Sequence, residues 1–307
     1  MRRAFIAAAL LTAGCSGGSA LSQPGPSPAP SSPPPANLAY VDAQATSDAA
    51  AGVKQAVEGA FSYDSTKPDD VAKAEQQYLT GSARAQFDKT FAEVRDSAVT
   101  TKTQVIETGV AELTANGARV LITAEQHSKR SDGASNQAAA LMLVTAAKSN
   151  GHWQLSDLSF DPRGAIAQAS GSAQGTGAAR DAAVDSAKRD GAVLMTVDPA
   201  TIDTAYDTWE KITAEPLLTQ FRTDRAQTIA HLKQSATKAT CAPDSPAALT
   251  SLSADGKQAS ALLAARVATA GGQQQPAERQ LPIHLDLVWQ GNEWKVSAIK
   301  PVTAPGS

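Results

Sequence analysis

Phe61-Ser62-Tyr63-Asp64 returns 134 residues later as Met195-Thr196-Val197-Asp198, within a chain of 307 residues. At the same offset, with no gap, Gln86-Phe87 returns as Gln220-Phe221. Two more landmarks follow in order. Leu113-Thr114-Ala115-Asn116-Gly117 is answered by Leu252-Ser253-Ala254-Asp255-Gly256. Asn150-Gly151-His152-Trp153-Gln154-Leu155-Ser156 is answered by Gly291-Asn292-Glu293-Trp294-Lys295-Val296-Ser297. Identity between the copies is low, but the order holds and the spacing drifts only by loop-sized amounts. The chain reads as one unit used twice.

Each copy opens with helix-forming sequence. Leu38 to Ala60 and Ala178 to Leu194 are rich in Ala, the strongest helix former, and Tyr40, Val53, Val57 and Phe61 fall at helical spacing. Pro68 and Pro199 suit the first turn of a second helix, with Asp69, Asp70 and Asp203 near its positive end. A third helix is expected over Ser82 to Arg95, and over Pro216 to Gln234. The period then falls from 3.6 to 2. Strands are expected at Thr103–Leu113, Arg119–Glu125, Ala138–Ala146 and His152–Phe160, then at Thr237–Leu252, Lys257–Ala268, Arg279–Trp289 and Trp294–Ile299. Helices first and antiparallel strands after is an α+β layout, in which a curved sheet wraps helices and leaves a cone. Asn-Gly and Asp-Gly mark tight hairpins between the strands.

The amino terminus reads differently. Arg2 and Arg3 precede an apolar run, Ala4 to Leu11, and Thr12-Ala13-Gly14 lead into Cys15. That is the layout of a secretory signal, and it resembles a lipobox, with Thr12 where Leu is usual. The run is shorter than the ~20 residues that span a bilayer. An ordinary signal cleaved nearby would leave Cys15 lost or free. The segment that follows favours lipidation: Ser16 to Ala36 is Ser, Gly and Pro, which reads as an extended tether. Two acyl chains suffice for stable anchoring, so the expected place is the extracytoplasmic face of the cell membrane. Without Arg2 and Arg3 the charged side chains number 25 basic and 30 acidic, a balance of −5. No basic field for nucleic acid results.

No reactive constellation stands out. His127, His152, His231 and His284 pair with no acid at a dyad spacing, and the copies share no histidine. There is no HExxH, CxxC or EF-hand loop, so no catalytic residue, metal or cofactor is assigned. Gly171, Gly175 and Gly177 read as linker. Asp64 and Asp198 read as turn residues, with a cavity contact as the other reading. Trp153 and Trp294 read as anchors of the last strand, with ligand stacking as the other. Cys241, left without a partner if Cys15 is lipidated, reads as a small buried residue. Tyr40, Phe61, Tyr63, Phe87 and Phe91 either line an apolar pocket or fill it.

Leu38-Ala39-Tyr40-Val41-Asp42-Ala43-Gln44-Ala45-Thr46, then Phe61-Ser62-Tyr63-Asp64, Leu79-Thr80-Gly81, Phe87 and Trp153-Gln154-Leu155-Ser156-Asp157-Leu158 resemble the Mce-associated proteins of actinobacteria. That family is accessory to Mce systems, which move lipids and sterols across the envelope, and its soluble part is expected to be NTF2-like. Its usual member has a transmembrane helix and one domain, where this chain has a lipoprotein signal and two copies. The expected map is a signal peptide at 1–15, a tether at 16–36, a first NTF2-like domain at 37–162, a linker at 163–177 and a second, diverged one at 178–303. The resemblance implies a non-catalytic accessory role with Mce transport proteins as partners. The alternatives are a carrier of lipid, sterol or another small apolar ligand, and a cone-fold enzyme.

Overall fold

The computed structural model describes residues 37–162, 175–271 and 275–303. The expectations for the signal, Cys15, the tether and most of the linker lie outside these residues. The described chain belongs to one compact unit, Pro35–Ser307.

The first half opens with α1 (Ala43–Phe61), capped by Asp42, whose carboxylate accepts from Ala45 N. That cap is why the helix starts at Ala43 and not at Leu38. Its buried stripe is Ala49, Val53, Ala56, Val57 and Ala60. A two-residue strand not foreseen from the sequence, β1 (Tyr63–Asp64), precedes α2 (Pro68–Tyr78), which has Pro68 in its first turn, and α3 (Gly81–Val94). A left-handed Ala98 then turns the chain into β2 (Val99–Leu113), followed by β3 (Gly117–Arg130), β4 (Ser135–Ser149) and β5 (His152–Ser159).

The second half repeats the order with α4 (Thr176–Leu194), α5 (Ile202–Ile212) and α6 (Leu217–Ser235). The strands are β6 (Thr237–Cys241), β7 (Ala247–Leu252), β8 (Gln258–Gly271), β9 (Ala277–Gln290) and β10 (Glu293–Pro301). Some boundaries in this half differ from expectation for reasons local to the chain. Pro199 lies before α5, because Asp198 Oδ1 accepts from Ala200 N and holds a turn there. Thr237–Leu252 is two strands, because Pro243 and Pro246 cannot donate to a ladder; Ser245 Oγ accepts from Arg266 N in the gap. Thr176 and Gly177 are helical, and Gly177 is buried in α4.

The halves match in backbone detail. Leu79 bridges Leu155 in parallel as Thr213 bridges Val296, and Thr80 N donates to Leu155 O as Ala214 N does to Val296 O, both at 2.9 Å. Asn150-Gly151 and Gly291-Asn292 turn their hairpins with positive φ at both positions, as a type I′ turn requires.

The sheet runs β10-β9-β8-β7-β2-β3-β4-β5, antiparallel between neighbours. Across the middle of the sheet, β2 and β7 pair at Val110 and Leu249. One face of β2–β5 buries Val120, Ile122, Met142 and Val144 with α1, and one face of β7–β10 buries Leu263, Leu285 and Val296 with α4. Side chains of opposite parity, Leu121, Leu141 and Leu143 from the first half and Ala248, Leu262 and Ala264 from the second, form a third cluster. The two half-sheets therefore pack back to back, and strands buried on both faces read as unbroken apolar runs. Gly109 allows the approach: a Cβ there would lie 2.8 Å from Ala248 O.

Candidate functional site

Between the helices and the sheet of the first half lies a cavity of about 210 Å³. Phe87 and Phe91 sit one turn apart on α3 and stack, centroids 5.7 Å apart at 6°. Tyr63 meets both edge-on, at 6.1 and 5.4 Å, and Phe61 meets Phe87 at 5.8 Å. Ala124, Ala138 and Ala140 form the opposite wall beside Met142 and Leu158. These alanines keep the space open, since each projects only a methyl group. Phe160 stands at the rim and is 55% exposed. The polar lining includes Thr103, whose hydroxyl donates to Phe61 O at 2.6 Å, and Gln126, whose Nε2 donates to Thr103 Oγ1 at 3.2 Å.

Of the five aromatic residues expected at a pocket, Phe61, Tyr63, Phe87 and Phe91 line this cavity. Tyr40 does not. Its ring packs against the cores of both halves, its hydroxyl donates to Leu249 O, and burial pushes its pKa up. It has the left-handed φ of 61°, which takes it off the α1 stripe that its spacing suggested.

The second half uses the matching positions for packing. Phe221, the counterpart of Phe87, contacts Tyr206 at 5.9 Å and Trp209 at 5.6 Å. Tyr206 and Trp209 are buried members of that half's core, and Trp209 Nε1 donates to Val193 O at 3.2 Å. Met195 and Val197 stand where the first half has Phe61 and Tyr63.

The expectation that no histidine pairs with an acid is corrected. His284 is bonded to Glu107 through Nδ1 and to Asp286 Oδ1 through Nε2, the latter at 3.0 Å. The bond to Glu107, followed by its charge, raises the imidazole pKa. Ser260 Oγ donates to Asp286 Oδ1 at 2.6 Å. Both ring nitrogens are occupied by carboxylates, and the serine proton points at the aspartate, so no base is positioned against a nucleophile. A strand spacing of His284-x-Asp286 puts both on one face, which was legible; Glu107 comes from the other half. His127 also meets an acid, Glu125 Oε2, at 3.2 Å.

Asp64, Asp198, Trp153, Trp294 and Cys241 do not line this cavity. Asp64 accepts from Thr66 N and Oγ1, and Asp198 pairs with Lys238 at 2.9 Å; these bonds lower both carboxyl pKa values. Trp153 covers Gly52 of α1, where a Cβ would be 2.1 Å from its ring. Trp294 is buried, and its carbonyl accepts from Ser186 Oγ at 3.3 Å. Cys241 is buried, which pushes its thiol pKa up. Among the described residues no group of three or more His, Cys, Asp or Glu side chains is placed to hold a metal ion, and no helix is long and apolar enough to cross a membrane.

No protein-family model and no curated protein matches the chain. Solved structures show limited likeness. An Ntf2-like protein involved in plasmid conjugation is 12% identical, over 83% of this chain and 96% of that one, with a TM-score of 0.27. An IcmL-like type IV secretion system protein from Legionella pneumophila is 11% identical over 38% and 91%, with a TM-score of 0.33. A periplasmic fragment of TraM is 12% identical over 36% and 93%, with a TM-score of 0.27. Likeness at this level says nothing of what this chain binds.

Proposed function

We propose that this chain is a non-catalytic envelope lipoprotein, anchored through Cys15, with two tandem NTF2-like cones of which the first holds a small apolar ligand. The aromatic cavity carries this reading: Phe61, Tyr63, Phe87 and Phe91 meet alanines across about 210 Å³ that side chains do not fill. Sites for drug-sized ligands are about 300–1,000 Å³, so this one takes one end of an acyl chain or ring system. The second half, with Phe221 packed between Tyr206 and Trp209, serves as a support fused to the back of the first.

An accessory role in Mce-type lipid or sterol transport rests on the opening Leu38–Thr46 motif and its companions in the first copy. The non-catalytic reading is supported by His284, whose ring nitrogens are both held by carboxylates. Mild cross-linking in the native membrane, followed by purification and mass spectrometry of lipids and proteins, tests the whole reading. Roughly one apolar molecule per chain is expected, depleted in a Met142→Trp variant that fills the cavity, with Mce transport proteins in the eluate. A chain that emerges alone and lipid-free would contradict the proposal.

A further inference from the structure

The hydrogen bonds at the polar side of the cavity restrict what its ligand carries. Thr103 has one hydroxyl proton, and Phe61 O takes it at 2.6 Å. The 3.2 Å contact between Thr103 Oγ1 and Gln126 must then be donated by the amide, which places Nε2 on that side. The same proton is shared with Phe61 O, 3.5 Å from Nε2, because the two acceptor oxygens lie only 2.6 Å apart and cannot each face a separate amide proton. The second Nε2 proton and Gln126 Oε1 have no hydrogen-bond partner among the described residues. Gln126 lines the cavity, so its amide offers a ligand there an acceptor and one donor, which a hydroxyl group can pair with together.

The lining disfavours a negative charge. Among the described residues no Lys, Arg or His lines the space. Glu125 borders it, held by Gln137 and by His127, the latter at 3.2 Å, and would repel an anion. A ligand carboxylate would be buried without a counter-charge. Nor do the rings form a cage for an ammonium group, because centroids 5.4–6.1 Å apart leave no gap between them.

We propose that the cavity selects an uncharged amphiphile bearing a hydroxyl group, which donates to Gln126 Oε1 while its hydrocarbon lies against Phe87, Phe91 and Met142. This rests on the reading of the cavity as a ligand site. The full chain carrying Cys15→Ser, kept free of detergent, is titrated calorimetrically with 1-octanol, octanoate and 1-methoxyheptane. The alcohol is expected to bind one per chain. The ether, an acceptor without a donor, is expected to bind about tenfold more weakly, and octanoate at least as weakly as the ether. Gln126→Met is expected to bring the alcohol down to the ether's affinity. Equal binding of all three probes, or an alcohol affinity unchanged in Gln126→Met, overturns this inference and leaves the ligand site standing. Binding of none overturns both. If Gln126→Met fails to fold, the ranking of the three probes on the parent chain decides alone.

Discussion

His284 ties the two halves by charge, and its surroundings set the sign of its pH dependence. Glu107 of β2 and Asp286 of β9 hold its nitrogens, Ser260 of β8 holds Asp286, and Lys300 of β10 is its cross-strand partner. Its pKa in the fold lies above the ordinary 6.5, chiefly through Glu107. The stability it contributes is therefore full below about pH 6.5 and is lost as pH rises through the raised value. Asp286 runs the other way. Burial pushes its pKa up, but the bonds from Ser260 and His284 outweigh that and hold it below 3.8. Its contribution is present above that value and is lost as pH falls through the lowered one. The urea midpoint is expected to be highest between about pH 4 and 6.5 and to decline toward pH 9. His284→Gln is expected to flatten the alkaline limb; a parent profile already flat from pH 6 to pH 9 would contradict this. At this scale the sequence showed what was local. His284-x-Asp286 was legible, whereas Glu107 lies 177 positions away. Arg180 is a similar case: it is buried and donates to the carbonyls of Asn37 and Ala39 at 2.8 and 2.9 Å, more than 140 positions back.

Element boundaries were legible where local chemistry sets them and missed where it competes. Pro68 opened α2 as expected, because nothing else claims that turn. Pro199 did not open α5, because Asp198 had already formed a turn around it. The alternation of Thr103–Leu113 identified β2, yet its extension back to Val99 depends on pairing with β1 and with Arg130 of β3. The site was half legible for the same reason. Phe87 and Phe91 are one turn apart on a helix, so their shared face follows from the sequence. That Ala138 and Ala140 would face them depends on strand register. Gly109 tests the crossing of β2 and β7. Its added Cβ would press on the Ala248 backbone, 2.8 Å away, and backbone there has no rotamer by which to yield. Gly109→Val is expected to cost ~2 kcal/mol, read from denaturant unfolding; an unchanged midpoint would show that the half-sheets do not approach as described.

At the scale of the molecule, three clusters of buried side chains divide the work. One lies under the helices of each half, and a third, formed by Leu121, Leu143, Leu262 and their neighbours, holds the half-sheets back to back. The repeat was visible in sequence because turns and anchor residues kept their spacing. Their packing was not, because a residue pattern cannot say that the second face of a strand is covered by another part of the same chain. Nor does the offset reveal that the copies differ at the matching place, where one keeps a cavity and the other packs Tyr206 and Trp209 around Phe221. That divergence is the central claim, and the chain contains its own reporters. Its three methionines are Met1, Met142 in the cavity, and Met195, aligned with Phe61 in the second half. Methyl-labelled methionine NMR during titration with 1-octanol is the most direct test. The account predicts a saturable shift of the Met142 signal with Met195 unmoved. Equal shifts at both, or none at Met142, would contradict it.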